Sequence, residues 1–111
     1  MNIIVTGGLG HIGSHLIRHL PHEFPNSVIT IIDNMLTQRY VSLFNLPNIG
    51  RYQFKEMDIT TADLDAAFKD ADVVIHLSAI TDAAGSFGNA AAVEFNNLES
   101  TKRVAKACAN A

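Results

Sequence analysis

The chain contains no tryptophan and a single cysteine, Cys108, so no disulfide can form within it. Charge is sparse as well: Asp, Glu, Lys and Arg make up 17% of the residues, and the formal net charge is −3. The lysines and arginines are scattered, which leaves no basic face for nucleic acid or an anionic membrane. No charged segment followed by an apolar run opens the sequence, and no apolar run approaches the length of a membrane span. Together these absences predict a cytoplasmic protein whose partners include neither nucleic acid nor membrane. What is present is apolar: 48% of the 111 residues are hydrophobic, enough for the core of one globular domain.

Two patterns alternate along the chain. Asn2–Thr6 (NIIVT), Val28–Asp33 (VITIID), Tyr52–Met57 (YQFKEM) and Val73–Leu77 (VVIHL) are short and rich in β-branched or aromatic residues, as strands are. All but the third are apolar nearly throughout, which suits parallel strands buried on both faces. Between them the spacing is helical. Ile12, Leu16, Ile17 and Leu20 gather on one face of a helix over His11–Leu20, which Pro21 stops. Thr60 and Asp63 form a capping box for a helix over Ala62–Phe68, and Ala90–Ala109 reads as a longer helix. A short irregular helix is expected over Gln38–Leu46. Right-handed crossovers then give an α/β fold, a doubly wound parallel sheet of about four strands in the order 3-2-1-4 with flanking helices.

Gly7, Gly10 and Gly13 stand as G-x-x-G-x-x-G where the first strand meets its helix. Backbone N–H groups and the helix dipole face outward together at such a junction, and an anion fits there. Gly7 permits the tight turn, Gly10 lets a pyrophosphate approach the backbone, Gly13 lets helix pack on strand, and Gly8 extends the flexible turn. A tight turn that binds nothing has the same glycines. Asp33 decides between the two, because it ends the second strand 20 residues after Gly13, where a carboxylate accepts hydrogen bonds from an adenosine ribose. The fold is therefore Rossmann-type and the ligand a dinucleotide. The carboxylate repels a 2′-phosphate, and the nearest following arginine is Arg39, so NAD is favoured over NADP.

These residues also resemble a known family. TGGLGHIG at Thr6–Gly13, IIDN at Ile31–Asn34, MDIT at Met57–Thr60, HLSA at His76–Ala79 and NNLEST at Asn96–Thr101 look like the extended short-chain dehydrogenase/reductase family. Within it the likeness is to the NAD-dependent sugar-nucleotide epimerase/dehydratase branch, and it covers essentially the whole chain. The resemblance implies that Gly7, Gly10, His11, Ile12 and Gly13 line the pyrophosphate and that Asp33 and Asn34 hold the adenosine ribose. It further places Asp58 and Ile59 at the adenine ring, Leu77, Ser78 and Ala79 beneath the nicotinamide-side ribose, and Asn97 near the cofactor. Two positions depart from the pattern: His11 replaces a commonly apolar residue, and Ser100 the glycine of N-x-x-G-T.

A larger departure concerns chemistry. The family works with a Tyr-x-x-x-Lys pair, in which lysine lowers the tyrosine pKa so that it exchanges a proton with a substrate hydroxyl while NAD takes a hydride. Here Tyr40 is followed four residues on by Phe44, and Tyr52 by Glu56. The sequence stops at Ala111, where the family's fifth strand begins. The expectation is that residues 1–111 form the N-terminal portion of an NAD-binding Rossmann domain, inactive alone. The parent enzyme would epimerise, dehydrate or decarboxylate a nucleotide sugar. The alternative is a non-catalytic dinucleotide-binding sensor or scaffold.

Other features carry plainer readings. His11, His15 and His19 recur at helical spacing with His22 just beyond; with no carboxylate or cysteine to complete a coordination shell, they read as a solvated helix face and not a metal site. His76 reads as a satisfied core residue and Cys108 as a small helix-packing one. Ala83–Ala92 either borders a substrate site or is a flexible connection. In the order 3-2-1-4 the strand Val73–Leu77 has an open edge, which predicts self-association through that edge or through exposed apolar faces.

Overall fold

A computed structural model of the chain describes residues 1–35, 43, 46–78 and 90–111. Strands β1 (Asn2–Thr6), β2 (Val28–Asp33), β3 (Arg51–Glu56) and β4 (Val73–His76) form one sheet in the order β3-β2-β1-β4, with every neighbouring pair parallel. Helices α1 (His11–Glu23), α2 (Leu64–Ala67) and α3 (Ala90–Asn110) flank it. This is the fold class and strand order expected from the sequence. In register, Thr6 lies beside Ile32 on one side and His76 on the other, and Asp33 lies beside Glu56. The C-terminal ends of all four strands thus share one edge of the sheet.

Side chains alternate across the two faces of a strand, and here the two faces build two cores. Ile3 and Val5 of β1 join Ile29 and Ile31 of β2 under Leu9, Ile17 and Leu20. On the opposite face Ile4 and Ile32 meet Ile59, Leu64, Phe68, Val104 and Ala107. Each fully buried aliphatic side chain contributes about 1.5–3 kcal/mol, so β1 and β2 are clamped from both sides. The outer strands differ. β3 is exposed along most of its length, and Val73 of β4 is 40% exposed, so burial on both faces holds for β1 and β2 but not for β4. Among the described residues β4 pairs with β1 alone.

Several boundaries move from those expected. Helix α1 runs through Pro21 to Glu23. Proline has no N–H to offer the carbonyl four residues back, which is that of Ile17. The Tyr52 hydroxyl of β3 donates to that carbonyl instead, and this tertiary donor lets the helix continue. Helix α2 is shorter than expected, and its N-cap is Asp63, whose carboxylate accepts the Ala66 N–H at 3.2 Å. Thr60 takes no part in a capping box: its N–H and hydroxyl both donate to Asp58 Oδ1, at 2.9 and 2.6 Å. A partner two residues away wins over a helix end. Strand β3 is Arg51–Glu56, one residue earlier than expected, and β4 ends at His76, before Leu77. Of the expected helix over Gln38–Leu46, residues 38–42, 44 and 45 lie outside the described residues. Leu43 and Leu46 pack half-buried against the α1-side core.

Candidate functional site

The glycine-rich turn begins where β1 stops. The Gly7 N–H donates to the Ile32 carbonyl at 2.7 Å, and its φ of +68° is a left-handed conformation that side chains disfavour. A Cβ there would lie 2.7 Å from the Ser78 nitrogen and 2.8 Å from the Leu77 carbonyl group. Gly7 therefore lets the turn touch the chain leaving β4. At Gly13 a Cβ would press on the Gly7 carbonyl oxygen and come within 2.7 Å of the Gly8 Cα, so this glycine lets helix pack on turn. Gly8 does not extend a flexible turn: it is buried, and a Cβ on it would lie 2.7 Å from Ile31 Cγ2. Gly10 differs from these three. A Cβ there would meet only the Gly7 carbonyl oxygen, at 3.4 Å, with open space around it. Gly10 is also the N-cap of α1, no side chain caps that helix, and its first turn holds no acidic residue. The positive end of a 13-residue helix thus faces space that an anion can enter.

Asp33 closes the neighbouring strand, half-buried, with both carboxylate oxygens in use. Oδ2 accepts from the Leu9 N–H of the glycine-rich turn at 3.3 Å, and Oδ1 from Met35 N–H at 2.9 Å. Met35 itself has a φ of +60° and is buried. Leu9, 1% exposed, anchors the turn from below. Neither Leu9 nor Met35 was legible as part of the site, though an apolar residue between glycines was a signal for the first.

On the other side of β1, Thr6 organises the β4 end. Its hydroxyl oxygen accepts the N–H groups of Leu77 and Ser78 at 3.1 and 3.3 Å, which leaves its proton for Nδ1 of His76 at 2.7 Å. With the hydroxyl donating, Nδ1 is the acceptor and the half-buried ring is neutral with its proton on Nε2; the Leu77 N–H is shared with the Thr6 carbonyl at 3.0 Å. Burial also pushes the His76 pKa down from 6.5. His76 is the satisfied residue expected, and its partner Thr6 is fully buried.

The remaining predicted residues fall around this edge. Ile12 is 73% exposed and does not join the buried face of α1, which is formed by Gly13, Ile17, Leu20 and Pro21. His11 is exposed beside it. Asn34 is exposed just beyond Asp33. Asp58 is exposed two residues past β3, and the Thr60 hydroxyl and N–H hold its carboxyl below the usual range, helped by the Arg103 charge and opposed by burial. Ile59 is buried in the second core, so its backbone alone can reach a ligand. Leu77 and Ser78 are half-buried against Gly7. Asn97 lies on α3, where its carbonyl accepts the Thr101 hydroxyl at 3.0 Å. Ala79 and Tyr40 lie outside the described residues, as does most of Ala83–Ala92. Tyr52 is spent on Ile17, and burial raises its pKa from 10.0. Ser100 is buried in α3 at 8% exposure. Cys108 faces solvent and does not pack, because it falls on the outer side of α3, beside buried Ala107. His15, His19 and His22 are exposed on α1, and among the described residues no three His, Cys, Asp or Glu side chains converge as a metal site. No helix among them is long and apolar enough to cross a membrane.

Residues 4–111 match the model of the 3-beta hydroxysteroid dehydrogenase/isomerase family. The chain belongs to this family. Its curated relatives include an uncharacterized UDP-glucose epimerase of Bacillus subtilis, 35% identical over 97% of this chain and 36% of the relative. A dTDP-glucose 4,6-dehydratase of Escherichia coli is 31% identical over 99% of the chain and 31% of the relative. Among solved structures, a UDP-glucuronic acid 4-epimerase from Bacillus cereus, in complex with UDP-glucuronic acid and NAD, superposes with a TM-score of 0.82. It is 32% identical, covering 97% of this chain and 36% of that one. A UDP-N-acetylglucosamine 4-epimerase from Methanobrevibacter ruminantium gives the same TM-score at 36% identity, covering 98% and 34%. The family's epimerase/dehydratase branch, implied by five sequence motifs, is where these relatives lie. The chain spans about a third of their length.

Proposed function

We propose that this chain forms the adenosine-side half of an NAD site in a nucleotide-sugar epimerase or dehydratase. The observation that carries the reading is Asp33: a half-buried carboxylate fastened to the glycine-rich turn through Leu9 N–H, next to an uncapped helix end with open space at Gly10. These residues fit the cofactor. The turn and the α1 N-terminus offer N–H donors and a positive dipole to a pyrophosphate, and the carboxylate accepts from a ribose diol. Gly7, Gly10, His11, Ile12 and Gly13 line the pyrophosphate, and Asp33 and Asn34 the ribose. Asp58 and Ile59 take the adenine, while Leu77, Ser78, Ala79 and Asn97 border the nicotinamide side. When bound, NAD supplies a two-electron hydride acceptor.

The chain's own residues bind and orient. None of its 111 residues forms a Tyr-x-x-x-Lys pair, and Tyr52, the described tyrosine, stays protonated in its bond to Ile17. Turnover of a sugar therefore requires a proton-transferring group from outside these residues, a contribution of about 10²–10⁴ in rate. Isothermal titration of the chain with NAD and NADP tests the reading. NAD is expected to bind more tightly, with the preference narrowed in Asp33→Ala; equal or tighter NADP binding overturns it, and NADH formation from a nucleotide sugar overturns the non-catalytic assignment.

A further inference from the structure

Arg103 projects from α3 towards the loop that joins β3 to α2. Its Nε donates to the Ile59 carbonyl at 2.8 Å and its Nη2 to the Ala62 carbonyl at 2.6 Å. One planar guanidinium thus spans residues 59–62, and its rigid fork fixes the distance between the two carbonyls. Within residues 58–62 the other hydrogen bonds are local: Thr61 and Ala62 N–H donate to the Asp58 carbonyl at 3.1 and 2.8 Å, and Thr60 donates to the Asp58 carboxylate. Those bonds shape the loop without tying it to another element. At its start the Met57 N–H donates to the Asp33 carbonyl of β2 at 3.1 Å. Beyond that anchor its placement is set by the packing of Met57, Ile59 and Ala62 on the second core and by Arg103.

Two groups at the start of the loop take no hydrogen bond among the described residues: Oδ2 of Asp58 and the Ile59 N–H. One is an acceptor, the other a donor, on consecutive residues. A 6-aminopurine presents the complementary pair along one ring edge, an exocyclic N–H donor beside a ring-nitrogen acceptor. A 6-oxopurine presents the reverse, a carbonyl acceptor beside a ring N–H. Buried or ordered polar groups facing the reverse pattern are left unpaired, and a site built for one pattern rejects the other strongly.

We propose that Arg103 is a positioning residue that makes this loop selective for a 6-aminopurine over a 6-oxopurine, by holding Asp58 and Ile59 in line with one edge of the ring. The assignment rests on the dinucleotide reading above. The guanidinium bonds the carbonyl of the same residue whose N–H is offered to the ring, so it limits rotation of that segment. Its two hydrogen bonds are to the loop and not to the glycine-rich turn.

The test is calorimetric titration of the 111-residue chain with NAD and with nicotinamide hypoxanthine dinucleotide, which differs only in carrying the 6-oxopurine. The wild-type chain should prefer NAD by tenfold or more. In Arg103→Ala the preference should fall to about threefold or less, because NAD weakens while the hypoxanthine analogue changes less than twofold. Arg103→Lys, which keeps the charge and one donor, should retain an intermediate preference, and it also serves should the alanine variant fail to fold. An unchanged ratio in either variant, or equal loss of both ligands, overturns the assignment alone and leaves the dinucleotide reading standing. A wild-type chain that binds neither ligand overturns both.

Discussion

Pro21 sits inside α1 without ending it, and the Tyr52 hydroxyl explains why. Removing that hydroxyl in Tyr52→Phe keeps the ring packed against the α1-side core but leaves the Ile17 carbonyl with no donor, since Pro21 has none. Ile17 is fully buried, so water cannot easily replace the bond. Leaving such an acceptor unpaired costs about 1–3 kcal/mol. In a domain of this size that lowers the Tm by roughly 4–12 °C. The decisive comparison adds Pro21→Ala, which restores an N–H at the position that normally bonds residue 17. In that background Tyr52→Phe should cost less than about 1 kcal/mol, because the helix now supplies its own donor. Urea unfolding of the four proteins, followed by circular dichroism, gives the coupling directly. Effects that add to within about 0.5 kcal/mol would refute the claim that tyrosine substitutes for the missing proline donor.

Gly7→Ala and Gly10→Ala should part company. The first adds left-handed strain of about 1–2 kcal/mol to a clash with the backbone of Leu77 and Ser78 worth about 1–3 kcal/mol, while the second costs the fold about 0.5–1 kcal/mol as an N-cap change. Gly10→Ala should instead weaken NAD at least tenfold, because its methyl enters the open space above the turn; thermal melts that rank the two variants in the other order contradict this. The lowered His76 pKa means that the unfolded chain takes up a proton the folded chain resists. Its stabilisation is therefore complete above the ordinary value of 6.5 and is lost as pH falls from there towards the folded value. His76→Asn keeps an acceptor for the Thr6 hydroxyl but does not titrate, so its stability should fall less than the wild type's between neutral pH and pH ~5; parallel pH profiles would show that the ring's protonation is not coupled to folding.

Local pattern carried much of this protein. The nearly continuous apolar runs NIIVT and VITIID matched β1 and β2, which are covered on both faces, whereas the equally apolar VVIHL became the outer strand β4. The strand order followed from the handedness of crossovers. G-x-x-G-x-x-G and Asp33 marked the candidate site, since a backbone that must touch another segment or a ligand excludes Cβ wherever it occurs. Contacts between distant segments had no such signature. That Pro21 is tolerated depends on a hydroxyl 31 residues away. That Gly8 is pressed against Ile31, that Asp33 grips Leu9, and that Arg103 reaches Ile59 and Ala62 are likewise matters of which elements the sheet brings together. The sequence alone determined the elements, their order and the edge that carries the candidate site, because these depend on periodicity and backbone sterics within a few residues. Which polar groups meet there, and which remain available to a ligand, only the tertiary structure decided, because a hydrogen bond is settled by distances of a few tenths of an ångström between residues far apart in the chain.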